Sequence, residues 1–97
     1  MRSLHIDGRE LTLDFAAAKD LADAAAKALL HDPFLLAFYD RDRGLEAPGH
    51  VSECHEGCEV PGYIDYATNR GGELRVDIDA GRFVFCYRRL GEFAPPD

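Results

Sequence analysis

The chain has 97 residues and carries 11 Lys and Arg against 18 Asp and Glu, a formal net charge of −7. That length suffices for one domain with its own hydrophobic core, without an obligatory disulfide or metal. The excess of acid argues against nucleic acid and anionic membranes as partners, because both bind clustered Lys and Arg. The longest apolar run, residues 34–39, is too short to span a bilayer, and residues 1–8 lack a signal-peptide core. We therefore expect a cytoplasmic protein.

The N-terminal residues predict a β-hairpin. Apolar residues alternate with polar ones on both sides of the Asp7-Gly8 dipeptide, which is typical of the positive φ angles in a two-residue turn. We expect strands over residues 3–6 and 9–13. In that register His5 lies opposite Glu10, and a cross-strand ion pair accounts for the histidine without a function.

Residues 15–31 predict a long helix. Asp14 is suited to accept a hydrogen bond from a first-turn amide, and the Ala-rich sequence that follows is strongly helix-forming. Lys19, Asp23 and Lys27 lie four residues apart and predict an exposed ladder. The opposite face has small residues at its centre, which allows close approach to a sheet. It consists of Phe15, Ala18, Ala22, Ala25 and Leu29.

The middle of the chain predicts a strand, a long connection and a short helix. Residues 34–39 are apolar at both alternate sets of positions, which indicates a central strand buried on both faces. From residue 41 to residue 60 no regular period persists, and such a connection is uncommon in a compact domain unless it is functional or disordered. Pro61-Gly62 then opens a helix expected over residues 63–70.

Residues 73–88 predict a second hairpin with a four-residue loop, because apolar and polar residues alternate on both sides of Ala80-Gly81. The expected apolar cross-strand pairs are Leu74 with Tyr87, Val76 with Phe85, and Ile78 with Phe83. The expected pairs of opposite charge are Asp79 with Arg82 and Glu73 with Arg88.

These elements predict an α+β fold in one domain, residues 1–90, followed by a flexible tail, residues 91–97. The antiparallel-rich sheet of about five strands has the order β-β-α-β-α-β-β along the chain. We also expect a homodimer. Residues 34–39 present apolar side chains to both sides of the sheet. Val84 and Cys86 lie on the face opposite the aromatic row, which consists of Phe83, Phe85 and Tyr87. This second face therefore needs a cover, and a second copy of the chain would supply it.

Three sets of residues carry a resemblance to known proteins. They are Asp32-Pro33-x-Leu35-x-Ala37-x-x-Asp40, Pro61-Gly62-x-x-x-Tyr66-Ala67 and Gly71-Gly72-x-Leu74-x-Val76, followed by an aromatic strand. With these motifs the chain resembles, from Phe15 to Tyr87, a family of short uncharacterised archaeal and bacterial proteins. The motifs are typical of turns and cores, so the resemblance implies no activity and assigns no functional residue.

Residues 47–61 are the part of the chain most suited to chemistry. They hold two of the three cysteines and two of the four histidines, and no Lys or Arg. His50, Cys54 and Cys58 follow one another at intervals of four, so a helical turn would place them on one face. Zinc takes four Cys, His or carboxylate ligands, and closely spaced thiolates are a usual half-site. We therefore predict a zinc or iron site, completed by His55, Cys86 or a nearby Glu.

Two other functions stay open. One is a thiol-dependent enzyme, although the acidic residues of this segment attract a divalent cation and raise the pKa of a neighbouring thiol. The other is a non-catalytic homo-oligomeric interaction module, in which the segment is a polar surface loop. The odd number of cysteines does not fit the disulfide framework of a small secreted domain, so we expect reduced thiols.

Overall fold

The computed structural model describes residues 1–49 and 61–90. The strands form a five-stranded sheet in the order β1-β4-β5-β2-β3, in which β1 and β4 are parallel and the other neighbours antiparallel. The predicted α+β class and antiparallel-rich five-stranded sheet are confirmed. The elements are β1 (Arg2–Ile6), α1 (Phe15–Leu29), β2 (Pro33–Asp40), β3 (Leu45–Ala47), α2 (Gly62–Asn69), β4 (Leu74–Ile78) and β5 (Phe83–Arg89).

The predicted N-terminal hairpin is wrong, and the elements run β-α-β-β-α-β-β. Residues 9–13 form no strand, and the fifth strand is β3, which pairs with β2. Gly8 is not among the described residues with positive φ, so Asp7-Gly8 does not form the two-residue turn. The carboxylate of Asp7 instead accepts hydrogen bonds from the backbone and guanidinium of Arg9. The alternation of apolar and polar residues determines which face of the sheet each residue occupies, but it does not determine which strand is the partner. In the structure, β1 pairs with β4.

The register of β1 also gives His5 a different partner. His5 lies opposite Asp77 of β4 rather than Glu10. The Nδ1 atom of His5 is 3.9 Å from Oδ2 of Asp77. The histidine therefore faces a cross-strand acid, as predicted, but the acid belongs to a strand far away in sequence.

α1 begins where the sequence predicts. Oδ1 of Asp14 accepts a hydrogen bond from the backbone N–H of Ala17 at 2.9 Å, which confirms the predicted N-cap. The helix ends at Leu29 rather than residue 31, and Leu29 is 53% exposed. The buried stripe follows steps of four residues, so it passes through Ala26 instead of Ala25 and Leu29. It consists of Ala18, Ala22, Ala26 and the adjoining Leu30.

The two helices cover opposite faces of the sheet. α1 covers a core that includes Val76, Phe85 and Tyr87. α2 covers a second core, and it spans residues 62–69 rather than the predicted 63–70. Val84 and Cys86 are buried in this second core, so α2 covers the part of the second face for which the sequence predicted a dimer partner as the cover.

The C-terminal hairpin has the predicted register. Leu74 pairs with Tyr87, Val76 with Phe85, and Ile78 with Phe83. A four-residue loop connects the strands, and Asp79, Ala80 and Gly81 in it all have positive φ. Asp79 pairs with Arg82 at 3.6 Å, as predicted. Glu73 pairs with Arg89 instead of Arg88, because both the backbone N–H and the guanidinium of Arg89 donate to its carboxylate.

α1, the longer of the helices in residues 1–49 and 61–90, has 15 residues. Within those ranges no helix is long and apolar enough to cross a membrane. The predicted tail, residues 91–97, lies outside the described residues.

Candidate functional site

The predicted metal ligands divide between described and undescribed residues. His50, Cys54, His55 and Cys58 lie outside the described residues. Cys86 is described and has no exposed surface in the core beneath α2. Within the described ranges, no group of three or more His, Cys, Asp or Glu side chains is placed to hold a metal ion.

Cys86 is a protonated thiol in this environment. Burial raises its pKa to about 11, and the positive charge of Arg75 offsets only part of that increase. A thiol with such a pKa is a poor nucleophile at neutral pH, because the reactive species is the thiolate. Cys86 by itself therefore does not support thiol chemistry.

The His/Cys segment leaves the described chain after β3 and rejoins it at α2. Ala47 and Pro48, at the end of β3, line an apolar cavity of about 270 Å³. Ala37 of β2 and Tyr66 of α2 line the same cavity. The two ends of the segment are therefore attached to elements that meet on the face of the sheet that contains Cys86.

Next to the core beneath α2, the same face of the sheet is polar. Ser3 and His5 of β1 lie opposite Arg75 and Asp77 of β4. Asp77 is only 7% exposed, and its Oδ2 accepts a hydrogen bond from Nη2 of Arg75 at 3.3 Å. In the sequence, Asp77 is one of the polar residues that alternate with apolar ones along β4, and its burial was not predicted. That burial depends on packing between elements distant in sequence.

The Arg75–Asp77 pair is incomplete. The Nε atom of Arg75 and Oδ1 of Asp77 are buried, and neither has a hydrogen-bond partner within the part of the chain that the structure describes. An arginine and a carboxylate often form two parallel hydrogen bonds. Here one of the two is formed, and these two atoms would make the second. The two unpaired atoms are thus a donor and an acceptor on the same pair of side chains.

Tyr63 lies at the border between the polar and apolar parts of this face. Burial raises its pKa to about 12, with Arg75 acting in the opposite direction. Its ring stacks on that of Tyr39, with centroids 5.4 Å apart. Tyr63 and Cys86 are thus both neutral near pH 7, and neither is an activated nucleophile.

A separate cavity of about 430 Å³ lies at the start of α1. Asp40 is 1% exposed and accepts a hydrogen bond from Nε of Arg43 at 2.6 Å. Arg82 donates to Asp42 at 2.9 Å, and Asp14 caps the helix. The charged side chains that line this cavity have partners in one another or in the helix, and they hold two turns of the chain against α1.

The comparisons with known proteins agree with this fold. The chain is similar over 95% of its length to protein AF1514 from Archeoglobus fulgidus, whose crystal structure it matches with 26% identity and a TM-score of 0.73. The match covers 98% of that protein. No curated protein matches the chain. The model of the family described as a domain of unknown function, DUF5619, matches residues 1–87, and the chain therefore belongs to that family.

Proposed function

We propose that the protein is a small metal-binding domain that holds zinc or iron through His50, Cys54 and Cys58. The observation that carries this proposal is the spacing of these three residues at intervals of four in a segment without Lys or Arg. Thiolate and imidazole are the ligands that zinc and iron take in proteins. The acidic residues of the segment add a negative potential that attracts a cation.

The position of the segment supports this assignment, because it connects β3 to α2. A segment that connects two elements of a scaffold is a common location for binding residues. In a reducing compartment such as the cytoplasm, its thiols remain available to a metal.

The fourth ligand is His55 or Cys86. Cys58 comes three residues before Pro61, so its Cα lies within about 11 Å of the Pro61 Cα, because consecutive Cα atoms are 3.8 Å apart. Tyr63 follows two residues later and packs in the same buried cluster as Cys86. The chain therefore enters the cluster that contains Cys86 shortly after the segment ends. To bind a metal, it would have to release the proton that burial stabilises.

Zinc competition against a chromophoric chelator tests the proposal. We expect the Cys54→Ser, Cys58→Ser double variant to lose at least about tenfold in zinc affinity, since it loses two ligands. His5→Gln is the matched control, because it removes an exposed histidine of β1, and it should bind zinc like the wild type. The variants Cys86→Ala and His55→Ala identify the fourth ligand. Failure of the wild type to compete, or equal affinity in the double variant, would contradict the proposal.

We also propose that the protein is a homodimer, and the homo-oligomeric module is thus the second candidate function. The observation that favours it is that β1 is an outer strand with a neighbour on one side only, among the residues that the structure describes. Light scattering at micromolar concentration should return twice the chain mass of 10.8 kDa. A mass of one chain would contradict this second proposal and leave metal binding unaffected.

A further inference from the structure

β1 is an outer strand of the sheet, and within residues 1–49 and 61–90 no strand pairs with its outer side. The backbone N–H of Arg2 donates to Glu73, and the carbonyl of Ile6 accepts from Asp79, so both residues direct their backbone toward β4. Backbone direction alternates along a strand that pairs on one side. Ser3 and His5, the intervening odd-numbered residues, therefore direct their N–H and C=O groups away from the sheet.

This edge has few of the features that usually prevent strands from adding to it. Short strands, charged side chains, prolines and bulges are the common protections of a sheet edge. β1 pairs with β4 over five consecutive residues without a bulge, contains no proline, and has Arg2 at its first position as its charged residue. The opposite edge, β3, has three residues and is followed directly by Pro48. Of these two edges, β1 is therefore the one suited to pair with another strand.

Apolar surface lies beside the same edge, on the α1 side. Leu4 packs against the core beneath α1, and with Leu29 and Leu74 it lines a cavity of about 180 Å³ at the edge. Leu29 is 53% exposed. Single exposed leucines are ordinary on a protein surface. Leu29, however, lies beside β1, so it extends the apolar surface at this edge, and a second copy paired there would cover it.

We propose that β1 pairs with β1 of a second copy, antiparallel, around a twofold axis beside Leu4. This inference rests on the proposed homodimer and assigns its interface. Ser3 would pair with His5 of the second copy, and His5 with its Ser3, because these residues direct their backbone groups outward. Leu4 would face Leu4 of the second copy at the closer, non-hydrogen-bonded position. The five strands of each copy would then form one continuous sheet.

A second copy fits this edge better than an unrelated strand for two reasons. The register above is self-complementary, so one surface supplies both halves of the interface, as a twofold dimer requires. The edge itself also avoids like-charge repulsion. Although the chain carries a net charge of −7, residues 1–6 contain Arg2 and no acidic residue. The acidic charge therefore lies elsewhere on each copy.

Light scattering of edge variants tests the interface. Ser3→Pro removes an outward N–H without removing a hydrogen bond to β4, and Leu29→Lys places a charge on the apolar side of the edge. We expect each to raise the dimer dissociation constant at least about tenfold. Ser3→Ala and Leu45→Lys are the controls, since Leu45 is also an exposed leucine, at 42%, and lies on the opposite edge. Both controls should remain dimers, and circular dichroism should show that all four variants are folded.

A cross-link tests the register without depending on dissociation. In the Cys54→Ser, Cys58→Ser background, Leu4→Cys should form a disulfide-linked dimer under mild oxidation, because facing residues at this position have Cα atoms about 4.5 Å apart. Leu45→Cys should not. A dimeric wild type whose edge variants all stay dimeric and whose Leu4→Cys variant does not cross-link would overturn this interface but not the homodimer. A monomeric wild type would overturn both.

Discussion

The hydroxyl of Tyr87 donates a hydrogen bond to Oδ1 of Asp23 at 2.7 Å and so joins β5 to α1. Tyr87 is 2% exposed, and it belongs to the aromatic row of the buried sheet face. Asp23 also accepts a hydrogen bond from Lys19 at 2.8 Å. The predicted exposed ladder of α1 therefore contains an acid that also binds a core tyrosine.

Tyr87→Phe should lower the free energy of unfolding by about 1.5 kcal/mol, because it removes a hydrogen bond to a charged group and keeps the ring. Urea unfolding of the two proteins measures the difference. Tyr66→Phe is the matched control: it keeps the ring on which the guanidinium of Arg70 lies at 3.8 Å, and it should change stability by less than about 0.5 kcal/mol. Equal stability of Tyr87→Phe and the wild type would show that the Tyr87–Asp23 bond contributes nothing net.

Asp23→Asn should reduce the loss of stability at acid pH. Burial raises the pKa of Asp23, but hydrogen bonds from Lys19 and Tyr87 outweigh it, so the pKa is lowered overall. Because the pKa is lower in the folded state, the ionised carboxylate of Asp23 stabilises the fold at pH values above its unfolded pKa, near 3.9. This contribution disappears as the pH falls through the pKa of the folded state. Between about pH 5 and pH 2 the variant should therefore lose less stability than the wild type. Asp20→Asn, at an exposed position of the same helix, should lose as much as the wild type.

Ala22→Leu should destabilise the protein by about 1–3 kcal/mol, because the larger side chain does not fit between α1 and the sheet. Ala22 has no exposed surface. Ala24→Leu makes the same chemical change at an exposed position of the same helix, and its effect should stay within about 0.5 kcal/mol. Thermal unfolding compares the two. Equal effects would mean that the helix does not pack as closely on the sheet as described.

Cys86 should be almost unreactive in the folded protein. The Cys54→Ser, Cys58→Ser variant leaves Cys86 as its remaining cysteine. Because this thiol is buried and its pKa is raised to about 11, labelling by a disulfide reagent at pH 7 should be slower than that of a free thiol. We expect a difference of at least about a hundredfold, which should disappear in guanidinium chloride. Rapid labelling of the folded variant would contradict the described burial of β5 and α2.

The sequence predicted the elements whose partners are close in sequence. The hairpin of β4 and β5 has the predicted register because its loop and its alternating residues constrain each other. The cap at Asp14 is correct for the same local reason. The pairing of β1 was predicted wrongly because its alternation fits an adjacent strand as well as a distant one. β3 was missed because three residues are too few to establish a period.

Burial of polar residues was less predictable than the fold. The position of Asp77 beside Arg75, His5 and Tyr63 depends on β1 and α2, which approach β4 from distant parts of the chain. The cluster of His50, Cys54 and Cys58 was recognisable from residue types alone, since it lies within one short segment. Cys86 could be proposed as a ligand from its type, but its complete burial depends on α2.

Removal of metal should leave the fold intact. Both hydrophobic cores contain many side chains from residues 1–49 and 61–90, so we do not expect folding to depend on a metal as it does in a zinc finger. Circular dichroism before and after chelator treatment should give the same spectrum, and the melting temperature should fall by no more than a few degrees. Loss of secondary structure on chelation would mean that the metal is part of the core.

Elemental analysis of protein purified without chelator tests metal binding most directly. We expect about one equivalent of zinc or iron per chain, and a loss of most of it in the Cys54→Ser, Cys58→Ser variant. His5→Gln should keep the wild-type content. Less than about a tenth of an equivalent in the wild type, or full metal content in the double variant, would contradict the proposed site.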